Sequence, residues 1–90
     1  MLLGKVIGTV WSTRKDEKLV GSKFLIVRRL DVEKKSKDDF VVAVDSVGAG
    51  VGEIVLYATG SSARQTNITK DKPVDAVIMA IVDKLDISVK

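Results

Sequence analysis

Three glycines at every second position, Gly48, Gly50 and Gly52, sit between Asp45 and Glu53 in the stretch DSVGAGVGE. Two kinds of chemistry could use such residues: a backbone cradle for phosphate, or acid–base work by paired carboxylates. A dinucleotide cradle requires G-x-G-x-x-G leading from a strand into a helix, whose first N–H groups hold the pyrophosphate. Here the spacing is different, and Glu53 to Thr59 (EIVLYAT) reads as another strand. The Gly-Lys-Ser/Thr ending of a P-loop is also missing. The glycines therefore read as a turn that supplies positive φ angles or close packing between strands. Asp45 and Glu53 then hydrogen-bond turn N–H groups or pair with an arginine.

The rest of the chemical inventory is thin. The 90-residue chain has no histidine and no cysteine, which removes the commonest general base, the best thiol nucleophile and the usual zinc ligands. Catalysis would rest on carboxylates, lysine or serine alone, and no cofactor or metal is expected. The N-x-T sequence at Asn67 to Thr69 would matter only in a secreted protein. The chain opens MLLGKVIG with no basic segment before a long apolar stretch, and its longest apolar run, AVIMAIV at 76–82, is too short to span a bilayer. The expectation is a soluble intracellular protein with no membrane partner.

Ninety residues make one domain, 1–90, that hides only about 60–65% of its unfolded surface and is marginal alone. Without disulfide or zinc, oligomerisation is the remaining means of stabilisation. Lysine and arginine exceed aspartate and glutamate by 15 to 12, giving +3, but RKDEK at 14–18 and EKKSKDD at 33–39 mix both signs. Interspersed charge marks solvated loops rather than a nucleic-acid footprint.

Valine, isoleucine and threonine dominate the apolar positions, and five strand-like runs emerge at roughly 2–13, 22–31, 39–47, 53–59 and 76–89. Ser62 to Gln65 has room for one short helical turn, which Asn67 and Pro73 stop from growing. The expected fold is mainly β: a small five-stranded barrel of the oligonucleotide/oligosaccharide-binding type with at most one short helical turn.

The last strand is apolar on both alternating faces, with Val77, Met79 and Ile81 on one and Ala76, Ile78, Ala80 and Val82 on the other. A barrel wall needs only one buried face. Strand one likewise sets Leu3, Ile7 and Trp11 against Leu2, Val6 and Val10. With no helices to cover them, these second faces are expected to meet another subunit, and Ile78, Ala80 and Val82 are the candidate interface. Gly4 and Gly8, on the face of Val6, fit close backbone approach or a bend.

Together DSVGAGVGEIVLYATGSSARQ at 45–65 and KPVDAVIMAIVD at 72–83 resemble the EutN/CcmL family of pentameric vertex proteins from bacterial microcompartment shells. The fronts LGKVIGTVWSTRK at 3–15 and LVGSKFLIVRRLD at 19–31 look like its first two strands. The resemblance implies a non-catalytic homopentamer in the shell, in the bacterial cytoplasm, with hexameric shell proteins as edge-to-edge partners and enzymes enclosed. The number five rests on the resemblance alone. It also gives Gly60, Ser61, Ser62 and Ala63 a candidate role beside a five-fold axis or narrow pore. Asp45, Gly48, Gly50, Gly52, Glu53, Arg64, Pro73 and Asp75 are expected to be turn and structural positions. A plainer reading has Ser61 or Ser62 capping a short helical turn and Arg64 paired with Glu53, Asp45 or Asp75.

The alternative function is a single-strand nucleic-acid binder of the same barrel size. It would need exposed aromatics as stacking platforms, and most of Trp11, Phe24, Phe40 and Tyr57 lie where a core would want them.

Overall fold

The computed structural model describes residues 1–89. Five strands form: β1 (Leu2–Val10), β2 (Phe24–Leu30), β3 (Ser36–Asp45), β4 (Ile54–Thr59) and β5 (Ala76–Ile81). They close into a barrel in the order β1-β2-β3-β5-β4, antiparallel everywhere except between β3 and β5. The two short helical elements are 3₁₀ turns at Glu17–Leu19 and Gly60–Arg64. The first, beyond the single turn expected, is held by the Asp16 carboxylate, which accepts the Lys18 N–H. The second begins two residues earlier than its sequence suggested.

Strand ends differ for identifiable reasons. β3 starts inside the lysine-rich loop, because the reversal is completed by Asp31–Lys35 alone. The Asp31 carboxylate accepts the N–H groups of Glu33 and Lys35, and Lys34 takes a φ of 65°. β5 ends at Ile81, and the alternating residues beyond it run without ladder pairing after Val82 donates to the Ile54 carbonyl.

The barrel interior is filled by Val6, Leu25, Val27, Ala43, Ala49, Val55, Tyr57, Ala76 and Ile78, all buried. Gly4 is where two walls come closest: a Cβ there would stand 2.4 Å from Val27 Cγ1 and 2.8 Å from Tyr57 Cε1. No side chain fits such a space without displacing its neighbours.

Bulges change which residues face inward. In β1 the pairing jumps from Val6–Val27 to Gly8–Ile26, leaving Ile7 as the extra residue and turning Gly8 away from the face of Val6. In β5 it jumps from Ile78–Tyr57 to Ala80–Leu56, so Met79 is extra. Ile81 then packs against the interior beside Ile78, on the side opposite to that expected from strict alternation.

A second apolar cluster lies outside the barrel: Val44, Ala58 and Val77 are covered by Ala63 and Val74, with Leu19, Phe24 and Met79 packed at its edge. The segment 60–74 thus covers the second face of β5 at Val77. That task had been expected of another subunit; the chain accomplishes it with an irregular segment instead of a helix.

Candidate functional site: the turns and outer walls

The glycine turn is closed by its own acids. Asp45 Oδ1 accepts N–H groups from Val47, Gly48 and Ala49 at 3.1, 3.1 and 3.2 Å, and Glu53 Oε1 accepts that of Gly50 at 2.7 Å. Gly48 and Gly52 have φ of 78° and 94°, where a Cβ is strained. Gly52 donates to the Val6 carbonyl at 2.8 Å, Lys23 Nζ reaches the Ala49 carbonyl, and Ala49 plugs the end of the core. The N–H groups a phosphate would need are already bound to carboxylates, whose charge would repel it.

The Gly60–Arg64 turn starts at Gly60, with φ of 64°, whose N–H donates to the Asp75 carbonyl at 2.8 Å. Gly60, Ser61 and Ser62 are exposed. Ala63 is fully buried, so its side chain lies inside this chain's own second cluster. Neither serine caps the turn; the cap position is Thr59, and it makes no side-chain bond. Arg64 Nη1 donates to the Val74 carbonyl at 3.1 Å rather than pairing with an acid. Pro73 and the Asp75 side chain are exposed on the return to β5.

Sequence reasoning missed the fastening of this cover. Buried Thr69 donates its hydroxyl to the Ala63 carbonyl at 2.5 Å, while its N–H bonds the Thr66 hydroxyl at 3.0 Å. The T-x-x-T spacing was the available signal, since a threonine hydroxyl commonly receives an N–H from two or three residues on.

Of the interface trio, Ile78 is corrected: it is fully buried opposite Tyr57 and touches no outside surface. Ala80 and Val82 remain half-buried, Ala80 beside Leu56 on the outer wall of β4 and β5. The aromatics also differ from expectation. Tyr57 alone is in the core, Phe24 is half-buried under Lys15, and Phe40 and Trp11 are 57% and 88% exposed. Burial pushes the Tyr57 phenol above its ordinary pKa, with Asp39 adding to this and Arg29 opposing it. The backbone N–H of Lys35 leads in holding the Asp31 carboxyl below its ordinary value. Burial works against it, while the Glu33 N–H and the charges of Lys37 and Lys35 reinforce it.

The fold is a closed small β-barrel in which Asp45, Glu53 and Arg64 each bind the chain's own backbone. Comparison with known proteins gives the class its family. The profile described as "Ethanolamine utilisation protein EutN/carboxysome" matches residues 1–83. The chain is 49% identical over 86 residues to the bacterial microcompartment shell vertex protein GrpN of Rhodospirillum rubrum, covering 96% of this chain and 97% of GrpN. It is 45% identical to the carboxysome shell vertex protein CcmL of Synechococcus elongatus, over 97% of this chain and 88% of CcmL. The solved structure of GrpN, described as a pentameric microcompartment shell protein, superposes with a TM-score of 0.88 over 97% of this chain and 99% of its own at 48% identity. That of CcmL from Nostoc sp. PCC 7120 reaches 0.94 over 98% and 93% at 44% identity. The chain belongs to the EutN/CcmL family.

Proposed function

We propose that this protein is a structural subunit of a bacterial microcompartment shell: five copies form a ring that occupies a vertex. A flat layer of hexagonal tiles cannot close into a polyhedron without pentagonal units, and the ring supplies one. Its neighbours are hexameric shell proteins meeting it edge to edge, and its place is the shell, within the bacterial cytoplasm. It carries out no reaction itself and binds neither nucleic acid nor membrane.

The observation that carries this reading is the match to the pentameric GrpN structure along nearly the whole chain. The use of Asp45 and Glu53 as backbone ligands in the glycine turn supports it, because the two acids best placed for chemistry are already engaged. The test is the native mass of the purified protein by light scattering after gel filtration, followed by co-expression with hexameric shell proteins. A five-chain mass and closed polyhedral shells are expected; without this protein the tiles should give open sheets or tubes. A stable single-chain mass would defeat the reading.

A further inference from the structure

The polar groups of the glycine turn are spent on one another, but those at the open end of the β1–β2 hairpin are not. Val10 and Phe24, the last ladder pair before the connecting loop, line a cavity of about 560 Å³ together with Trp11, Lys15, Ser22 and Lys23. Its volume falls in the range of small-molecule sites.

Three features give the cavity a chemical bias. Trp11 is 88% exposed, so a large flat apolar surface stands unused beside it. The charged residues that line it are both lysines. Lys23 Nζ is held 3.2 Å from the Ala49 carbonyl. Lys15 Nζ lies 3.5 Å from the Ser12 carbonyl and 5.7 Å from the centre of the Phe24 ring. The ion pairs among the described residues are Arg29–Asp39 and Lys84–Asp86, so neither lysine is matched by an acid. Asp16, the acid beside Lys15 in the chain, spends its carboxylate on the Lys18 N–H. The third feature is Ser22. Its N–H donates to the Leu19 carbonyl, yet its hydroxyl is the one buried side-chain polar atom without a partner among the described residues. Buried polar atoms are normally completed by some partner.

We propose that this cavity binds a small organic acid, a single carboxylate carried on a flat or branched hydrocarbon body. The body packs against Trp11, Val10 and Phe24, taking apolar surface out of water. The carboxylate accepts charge-assisted hydrogen bonds from Lys15 and Lys23, and the Ser22 hydroxyl gains the acceptor it lacks. An inorganic anion would use the lysines but leave the apolar lining idle, and a neutral molecule would do the reverse. The site lies within one chain, so it does not depend on how many copies form the ring.

Trp11 is the chain's single tryptophan, and its emission reports occupancy directly. The test titrates the assembled protein at low salt with 3-phenylpropionate and, in parallel, with 3-phenylpropionamide, acetate and inorganic phosphate. A saturable change is expected for 3-phenylpropionate, with a dissociation constant at least about tenfold below that of each of the other three. Lys15→Gln should remove the advantage of the acid over the amide and leave binding of the amide unchanged. Ser22→Ala should weaken the acid without lowering the stability of the free protein, because the hydroxyl has a partner only in the bound state.

Equal affinity for acid and amide would overturn the ionic half of the proposal, and phosphate binding as tightly as the acid would overturn the apolar half. No saturable change at millimolar 3-phenylpropionate would overturn both. So would a Trp11 already shielded from acrylamide quenching in the assembled protein, since another copy would then fill the cavity. None of these outcomes alters the five-chain mass on which the vertex reading is tested.

Discussion

The outer side of β5 at Val77 and the outer side of β3 at Val42 are both apolar, yet only the first is covered. Val77 lies beneath Ala63 and Val74 and is fully buried, whereas Val42 faces outward with 43% of its surface exposed. A second apolar face on a strand therefore does not by itself report a subunit contact. What reports it is an apolar face the chain leaves bare after its own irregular segments have packed.

Substitutions can break this comparison at graded cost. The largest effect is expected inside the barrel: Ile78→Ala should lower unfolding free energy by about 2–5 kcal/mol through lost burial and a residual cavity. Chemical denaturation at fixed protein concentration checks it, since ring dissociation is coupled to unfolding. A loss below 1 kcal/mol would place Ile78 outside the core. Thr69→Val is next. It removes the hydroxyl that holds the cover to the Ala63 carbonyl, leaves that carbonyl unpaired and should cost about 1–3 kcal/mol. Hydrogen exchange should accelerate over residues 60–74 and little elsewhere; uniform acceleration would mean that the cover is not a separate unit.

On the bare wall the intrinsic cost should nearly vanish. Phe40→Ser should shift unfolding by no more than about 0.5 kcal/mol. A larger loss of stability would show that Phe40 packs against other groups.

The smallest effect is local and depends on pH. The folded Asp31 carboxyl has a depressed pKa, so its contribution is complete above the ordinary value of 3.8 and disappears as pH falls through the lower folded value. Exchange at the amides of Glu33 and Lys35 should rise faster in that acid range than base and acid catalysis alone predict, and Asp31→Asn should abolish the excess. Tyr57 acts at the other end. Its raised pKa leaves stability intact below 10.0 and erodes it as pH climbs toward the folded value.

Much of the fold was legible in the residues. Five β-branched runs became five strands, and the reading of Asp45 and Glu53 as partners of turn N–H groups matches the bonds they make. The motifs at 45–65 and 72–83 led to the family before any geometry was available. Less legible were Ile78 and Ala80, grouped on one face by strict alternation, and the burial of the Ala63 side chain. Most of Trp11, Phe24, Phe40 and Tyr57 were expected where a core would want them, yet Trp11 and Phe40 sit on outward positions.

The division has a physical cause. Turn caps and alternation involve groups a few residues apart, so sequence by itself determined the strands, the closed glycine turn and the absence of the usual catalytic side chains. A bulge shifts the facing of every later residue according to the partner strand's ladder, as Met79 does against β4. The cover over Val77 depends on Thr69 reaching Ala63 and on Val74 folding back across β5. Only the tertiary structure decided which apolar faces the chain buries for itself and which it leaves exposed.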